Sequence, residues 1–543
     1  MNSASRLVAV VFAAALLLLP LAARGDDKPP AAKPAATEKA AEAAPPADST
    51  TEGTVDAGGQ HIAYTAVAGM ITVGATDAQD AQLDMDGKPL PGSQLAISAP
   101  KDEADAPPVA RMFYVAYFKK GTRADDRPIT FFYNGGPGSS TVWLHMGSLG
   151  PKYVATDSDE HLPAAPYKLE DNAETLLDVS DLVFIDAPGT GFGRLVGKDA
   201  EKAFWGVDED GGAFTRFIAR FISKYDRWNS PKFLFGESYG TTRSAVLAKM
   251  LEDKDSIDVN GVILLSQIFN FSVFIDVAEM NPGVDLPYEL ALPTYAATAW
   301  YHKKLSPEPP ALEPLLKEVE AYAMGPYAHA LAQGTDLGDA EKQAVAEKLH
   351  EYTALPVAYL LKANLRVEGG EFEKNFDDSQ DLTTGRYDTR FTGPSIDPLS
   401  KEADYDPQSA AISSAYVSLL NDYMRRVLKY GEGQTYLAEI DASKWDFKHN
   451  ENPLNLNVSS DLADAMKTNP RLKVMLNGGY YDLATPFFGA QYEEKHLPIP
   501  QSLAKNIQYD WYESGHMVYV RSECRKLLHD RVAAFIKGAS SVQ

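Results

Sequence analysis

Residues 233–240 read Phe-Leu-Phe-Gly-Glu-Ser-Tyr-Gly, which places one serine between two glycines directly after a short apolar run. The apolar run is typical of a buried strand, and the small and apolar residues at 241–250 are typical of a buried helix. A serine at the tip of a tight strand-to-helix turn sits in strained backbone geometry, and flanking glycines let neighbouring segments pass without a Cβ clash. The segment has the form of a nucleophile elbow, with Ser238 as the candidate nucleophile.

Other apolar runs indicate a sheet around this elbow. They predict strands at 110–118, 128–133, 182–186, 261–266, 471–477 and 507–512. The runs at 128–133 and 182–186 each stop in a glycine-rich loop, and a helical pattern at 213–222 fits the crossover before the elbow strand. Apolar strands that end in such loops predict a parallel sheet whose strand ends build a site.

The N-terminal residues have the composition of a segment that is not part of the fold. Residues 1–25 contain an early basic residue, an apolar stretch and small residues before Asp26, which predicts a cleaved secretory signal peptide. An uncleaved anchor is the alternative, although the apolar stretch is short for a membrane span. Residues 26–52 are rich in Ala and Pro, and they predict a disordered linker because they have almost no large apolar side chain to bury.

The remaining chain divides into a core in two parts and an insertion. Residues 53–270 and 466–543 carry the predicted strands and are assigned to the core. Residues 271–465 are mainly helical in pattern, with a polar, Gly/Asp-rich stretch at 368–406. We interpret this insertion as a cap that shapes substrate access at the open end of the sheet, with a separate helical domain as the alternative.

Charge and cysteine content narrow the classes of partner. The chain has 75 acidic and 51 basic residues and a net charge of -24, which argues against nucleic acid or an anionic membrane surface as the main partner. Its single cysteine, Cys524, cannot form an internal disulfide, which fits export to a bacterial periplasm better than a eukaryotic secretory route. The sequence has no zinc-type cluster, Walker loop or dinucleotide fingerprint. We therefore expect no metal, no cofactor, and no integral membrane association after signal cleavage, and the oligomeric state stays open.

A serine hydroxyl needs a general base, and the base needs an acid that holds its tautomer. Among the histidines, only His516 lies in a late glycine-containing loop directly after a strand-like run. Asp482 follows the end of the predicted strand at 471–477. The order Ser238, Asp482, His516 is the chain order of α/β-hydrolases. We therefore expect the α/β class and an α/β-hydrolase fold: a mostly parallel central sheet, helices on both faces and a large helical cap insertion.

The oxyanion that forms on acyl attack needs two preorganised donors. These are commonly the amide after the nucleophile and one amide from an earlier strand-end loop. Tyr239 occupies the first position. In the loop at 134–140, Pro137 has no amide hydrogen, so the donor must come from a neighbour, and Gly136 is the candidate.

Four motifs together resemble the serine carboxypeptidases. They are Asn134-Gly135-Gly136-Pro137-Gly138-Ser139-Ser140, Gly236-Glu237-Ser238-Tyr239-Gly240, the Asp482 loop and Gly515-His516-Met517-Val518. They stand in the family's order on both sides of the insertion. The resemblance implies a serine peptidase that acts on peptides with a free C-terminus, releases their C-terminal residues and typically works at acidic pH. It also implies that Asn134, the Gly135 amide and Glu237 hold the substrate's terminal carboxylate.

The role implied for Glu237 makes physical sense. Two carboxylates cannot approach closely unless one is protonated, so a glutamate that binds a carboxylate must keep its proton. Such a glutamate favours acidic conditions; the alternative is a purely structural Glu237. The chain departs from eukaryotic members at two positions: Ser139 stands where they have a disulfide-forming cysteine, and Ser148 stands where they have a further glutamate of the carboxylate-binding network.

Two other functions remain compatible with these motifs. One is another serine hydrolase or an acyltransferase, because acyl-enzyme chemistry serves esters and transfer equally well. The other is a noncatalytic binding protein on a hydrolase fold. Cleavage of free against amidated C-termini tests the first alternative, and labelling of Ser238 by a fluorophosphonate tests the second. The insertion shows no pattern that predicts side-chain preference.

Overall fold

A computed structural model describes residues 47–93, 106–156, 158–306, 311–450 and 455–540. The signal peptide predicted at 1–25 and the linker residues up to 46 lie outside the described residues. The described strands are β1 Ser49–Ala57, β2 Gln60–Gly74, β3 Val109–Lys119, β4 Ile129–Tyr133, β5 Lys152–Val154, β6 Leu169–Asp171, β7 Asp181–Ile185, β8 Arg194–Val196, β9 Lys232–Glu237, β10 Gly261–Leu265, β11 Leu382–Thr384, β12 Thr392–Pro394, β13 Lys473–Gly479 and β14 Ile507–Tyr512.

The described α-helices are α1 Asp77–Asp80, α2 Val142–Gly147, α3 Ala200–Phe204, α4 Val207–Lys224, α5 Tyr239–Asp255, α6 Leu286–Tyr301, α7 Leu312–Tyr322, α8 Ala328–Ala332, α9 Asp339–Thr353, α10 Val357–Lys362, α11 Gly369–Asn375, α12 Pro407–Arg426, α13 Ser459–Thr468, α14 Phe487–Lys495, α15 Gln501–Ala504 and α16 Ser522–Ser540. Within the described ranges, no helix combines the length and apolarity that crossing a membrane requires.

The central sheet has the order β1-β2-β3-β7-β4-β9-β10-β13-β14, with β8 paired to β3. From β7 to β14 neighbouring strands are parallel, and from β1 to β7 they are antiparallel. The predicted α/β-hydrolase fold is confirmed by this mostly parallel sheet with helices packed on it. The linker predicted to end at Glu52 ends earlier, because β1 starts at Ser49, which pairs with Ala68 of β2.

Apolar side chains of each strand alternate between two buried layers. In β9, Phe233 and Phe235 join a cluster that includes residues of α12 and α16, whereas Leu234 joins a cluster that includes residues of α4, α5 and α13. Successive side chains of a strand point to opposite faces, so a strand that is apolar at every position must be covered on both faces. The elbow strand therefore lies in the middle of the core, and only its carboxyl end reaches the site.

The insertion packs in two different ways. Helices α6, α7, α9 and α11 contribute to an apolar cluster of their own, to which the core loop after β13 adds Leu483. By contrast, α12 and α13 pack on opposite faces of the central sheet. The cap predicted at 271–465 therefore differs from the structure in its last part, because residues of α12 and α13 bury their apolar side chains against the strands.

A buried ion pair joins the elbow helix to the rest of the core. The Arg243 side chain in α5 is fully buried, and its Nε donates to Asp210 Oδ2 in α4 at 2.6 Å. Its Nη1 donates to the carbonyl oxygen of Asn134 at 2.6 Å, and its guanidinium lies 4.4 Å from the centre of the Phe214 ring. One side chain thus fixes α5, α4 and the loop after β4 relative to each other.

Replacing Arg243 with leucine should destabilise the fold strongly. The Arg243→Leu variant leaves the Asp210 carboxyl buried without its partner, so we expect the free energy of unfolding to fall by about 3–5 kcal/mol in urea titrations. Lys249→Leu is the matched control, since Lys249 lies on the same helix and pairs with Asp464 near the surface; its effect should stay below about 1 kcal/mol. Equal effects of the two substitutions would contradict the prediction.

Candidate active site

Ser238 lies at the carboxyl end of β9 and immediately precedes α5. Its φ of 60° and ψ of −130° lie outside the regions that non-glycine residues favour, as a nucleophile elbow requires. A Cβ at Gly236 would come within 2.1 Å of the Gly240 carbonyl oxygen, and a Cβ at Gly240 within 2.8 Å of the Tyr133 carbonyl oxygen. Both positions therefore need glycine. The Ser238 hydroxyl makes no hydrogen bond that caps α5, so the helix does not compete with a substrate for it.

His516 and Asp482 form a buried pair at the same edge of the sheet, since each follows a strand parallel to β9. His516 Nδ1 lies 2.8 Å from Asp482 Oδ2. Asp482 also accepts hydrogen bonds from Thr485 N at 2.9 Å and Thr485 Oγ1 at 2.7 Å. Because a carboxylate only accepts, His516 donates from Nδ1 and keeps Nε2 as the proton acceptor. Burial disfavours the imidazolium, but the Asp482 carboxylate outweighs burial and raises the pKa of His516.

A short segment of the insertion holds the loops that carry this pair. The carbonyl oxygen of Arg386 accepts from Leu483 N at 3.1 Å and Ala484 N at 3.0 Å, directly after Asp482. The carbonyl oxygen of Tyr387 accepts from His516 N at 2.6 Å, and the Tyr387 ring lies 5.0 Å from the imidazole. Asp388 Oδ2 accepts from the Gly515 amide at 3.1 Å. Residues 386–388 therefore connect the Asp482 loop to the His516 loop.

The glycine-rich loop after β4 lies against the elbow. A Cβ at Gly135 would come within 2.4 Å of the Tyr239 amide nitrogen, so only glycine allows this approach. Tyr239 is the first residue of α5, where an amide has no acceptor within the helix. Neither the Tyr239 amide nor the Gly136 amide donates a backbone hydrogen bond within the described ranges. The loop that carries Gly136 thus lies against the elbow, and the oxyanion role of the Gly136 and Tyr239 amides stays a prediction.

Backbone hydrogen bonds tether this loop on both sides of Ser139. Ser140 N donates to the Ala438 carbonyl oxygen at 2.8 Å, and Ile440 N donates to the Gly138 carbonyl oxygen at 3.0 Å. Ser139 is the residue that stands in place of the eukaryotic cysteine. Main-chain hydrogen bonds from the insertion therefore hold the loop after β4 without a disulfide.

The predicted carboxylate-binding residues lie next to the elbow. Glu237 is 2% exposed, and burial raises its pKa to about 7, despite the opposing effects of His516, Tyr519 and Asn134. Asn134 Oδ1 accepts from Leu144 N at 2.9 Å, which orients the amide group. Ser148 donates from Oγ to the Leu144 carbonyl oxygen at 2.5 Å, so its hydroxyl closes the end of α2.

Sequence reasoning missed three contributors to this site. Thr485 could have been found, because an aspartate followed three residues later by threonine can form a local side-chain turn. Tyr519, whose hydroxyl donates to Glu237 Oε2 at 2.8 Å, gives no comparable signal. Residues 386–388 carry no sequence signal of this role either, because they contact segments that are distant in sequence.

Comparison with known proteins identifies the family of this chain. A family model described as serine carboxypeptidase matches residues 103–533, more than half of the chain. A pheromone-processing carboxypeptidase KEX1 of Komagataella phaffii is 31% identical over 131 residues, which are 24% of this chain and 19% of that protein. The kex1 protein of Schizosaccharomyces japonicus is 25% identical over 156 residues, 28% of this chain and 27% of that protein. The match thus spans less than a third of these relatives' length.

Solved structures show a more distant likeness. The peroxisomal α/β-hydrolase Lpx1 of Saccharomyces cerevisiae gives a TM-score of 0.35 at 10% identity, covering 88% of this chain and 91% of that one. Proline iminopeptidase of Mycobacterium smegmatis gives a TM-score of 0.33 at 12% identity, covering 79% of this chain and 96% of that one. The fold assignment rests on the strand order described above, and the family assignment rests on the match over residues 103–533. This chain belongs to the serine carboxypeptidase family.

Proposed function

We propose that this protein is a serine carboxypeptidase, which removes C-terminal residues from peptides through an acyl-enzyme intermediate. The observation that carries the proposal is the position of Glu237. A carboxyl whose pKa burial raises to about 7 directly precedes the elbow serine. A nucleophile alone indicates acyl chemistry, whereas a neutral carboxyl beside it is suited to a substrate that carries a free carboxylate.

The proposed reaction uses the site residues in the roles expected from the sequence. Ser238 Oγ attacks the scissile carbonyl carbon while His516 Nε2 takes its proton, and Asp482 stabilises the imidazolium. The Gly136 and Tyr239 amides stabilise the oxyanion. The C–N bond then breaks, and the leaving amine takes the proton from His516. Water, deprotonated by His516, attacks the acyl-enzyme and releases the shortened peptide, which restores Ser238.

The substrate's terminal carboxylate is proposed to bind at Asn134, the Gly135 amide and Glu237. Protonated Glu237 donates a hydrogen bond to this carboxylate, and the oriented Asn134 amide adds a second donor. Held there, the carboxylate fixes the last peptide bond at the nucleophile, so cleavage would release one residue at a time.

Discrimination between free and amidated C-termini tests the proposal. A blocked dipeptide with a free carboxylate should be cleaved with a kcat/KM about 100-fold or more above that of its amide, because the amide cannot accept the Glu237 and Asn134 hydrogen bonds in the same way. Ser238→Ala should lower activity by about 10⁴-fold or more and abolish fluorophosphonate labelling. Equal cleavage of both substrates by a labelled enzyme would instead favour another hydrolase or an acyltransferase.

The pH dependence of KM should report Glu237. Below about pH 7 Glu237 keeps its proton and can donate to the terminal carboxylate; above it the ionised Glu237 repels that carboxylate. KM for free C-terminal substrates should be flat below pH 7 and rise by up to about tenfold per pH unit above it. On the acidic side, kcat should fall as His516 is protonated, since a base must be neutral.

Glu237→Gln is the matched variant for this measurement, because the glutamine is neutral at every pH. Its KM should show no rise above pH 7, while the fall of kcat on the acidic side persists. A rise of KM that is the same in both proteins would rule out Glu237 as the titrating group.

We further propose that the protein is a bacterial enzyme exported to the periplasm. The apolar stretch near the N-terminus and the single cysteine support this proposal. Cell fractionation followed by N-terminal sequencing of the mature protein should find it in the periplasmic fraction with Asp26 as the first residue. Recovery of the intact N-terminus in the membrane fraction would favour the anchor instead.

A further inference from the structure

Tyr519 reaches the candidate carboxylate site from the loop that carries His516. It lies in a helical turn at Val518–Val520 and is fully buried. Its hydroxyl donates to Glu237 Oε2 at 2.8 Å, and the Asn134 amide lies beside the same hydroxyl. Tyr519 is therefore the third polar group of a buried cluster with Glu237 and Asn134, yet neither the sequence motifs nor the proposed reaction assigns it a role.

The Tyr519 ring occupies the space at the end of α2. A Cβ at Gly147 would come within 2.7 Å of a carbon of this ring and within 2.5 Å of the Tyr416 hydroxyl oxygen. Gly147 immediately precedes Ser148, the residue that stands in place of the eukaryotic glutamate. Ser148 is small and its hydroxyl is bonded to the Leu144 carbonyl oxygen. Tyr519 and Tyr416 thus pack against the last residue of α2, directly before Ser148.

The direction of the Tyr519 hydrogen bond determines which carboxyl oxygen of Glu237 carries the proton. Burial and the neighbouring Glu237 charge raise the pKa of Tyr519 well above its usual value, so Tyr519 stays a donor. A carboxyl oxygen that accepts from a phenol acts as the carbonyl oxygen of the neutral acid, and the acid's proton then sits on the other oxygen. With Oε2 engaged by Tyr519, Oε1 of neutral Glu237 carries the hydrogen that can be donated.

We propose that Tyr519 is a positioning residue of the substrate-carboxylate site: it engages Oε2 of Glu237 and so directs the Oε1 proton toward the substrate's terminal carboxylate. This inference rests on the proposed carboxypeptidase function. In the enzymes that the motifs resemble, a second glutamate takes part in this network, and here a phenol holds Glu237 instead. The site consequently binds the terminal carboxylate with one ionisable carboxyl.

The groups that face Glu237 come from several elements. The charge of His516 favours the ionised form of Glu237, and hydrogen bonds from Tyr519 and Asn134 favour it as well. The charge of Asp482 favours the neutral form of Glu237. Tyr416 of α12 lies close enough to both Glu237 and Tyr519 to interact with them electrostatically. Removing the Tyr519 hydroxyl therefore removes one group that favours ionised Glu237, so the pKa of Glu237 should rise while the orientation of its proton is lost.

Tyr519→Phe tests the inference, with Tyr416→Phe, which alters a second buried tyrosine beside Gly147, as the matched control. For a blocked dipeptide with a free C-terminus, Tyr519→Phe should raise KM about tenfold at pH 5.5, and the pH above which KM rises should move upward. The substitution should affect KM far more than kcat. Tyr416→Phe should leave KM and its pH profile at wild-type values.

The rate of fluorophosphonate labelling of Ser238 distinguishes a positioning role of Tyr519 from a structural one. If Tyr519→Phe slows labelling as much as it lowers kcat/KM, Tyr519 is a structural residue and the inference is wrong. An unchanged KM with an unchanged pH profile also overturns it. If wild-type enzyme is labelled but cleaves free and amidated substrates equally, the proposed function fails, and this inference fails with it.

Discussion

The elbow and the loop after β4 touch backbone to backbone, and the rest of the site depends on that contact. Gly135 approaches the Tyr239 amide so closely that no side chain fits between them. Arg243 stabilises this contact, because its guanidinium binds the Asn134 carbonyl oxygen as well as Asp210. The contact brings the loop that carries Gly136 against the Tyr239 amide, next to a serine whose backbone is already strained. Preorganised donors of this kind stabilise developing charge without rearranging during the reaction.

The same burial that stabilises the fold supplies the electrostatics of the site. Glu237 and His516 are both buried at the edge of a sheet whose strands are covered on both faces. Burial favours neutral Glu237, whereas the Asp482 carboxylate favours charged His516. Both pKa values are thereby raised, that of Glu237 by burial and that of His516 by the Asp482 carboxylate. The neutral acid that binding needs comes from the apolar surroundings, and the more basic imidazole that proton transfer needs comes from its carboxylate partner.

The sequence predicts the parts of this protein whose signals are local. Apolar runs predicted strands at β3, β4, β7, β9, β10, β13 and β14, and glycine spacing located the elbow and the loop after β4. The order of Ser238, Asp482 and His516 along the chain predicted the fold. Contacts between distant segments could not be predicted: the pairing of β1 with β2, the packing of α12 and α13 on the sheet, and the approach of Tyr519 to Glu237 all depend on tertiary packing. Residues 386–388 lie in the polar stretch at 368–406, and the loops that they contact, which carry Asp482 and His516, lie far along the chain.

The contacts of residues 386–388 have a consequence for how this enzyme could be altered. The helices from α6 to α11 pack around a cluster largely of their own, but the polar segment that follows them bonds to the loops of both Asp482 and His516. An exchange of the whole insertion with that of another hydrolase would remove the hydrogen bonds that support the His516 loop. An exchange that ends before β11 would leave these hydrogen bonds in place, so α6–α11 could be replaced while His516 and Asp482 keep their geometry.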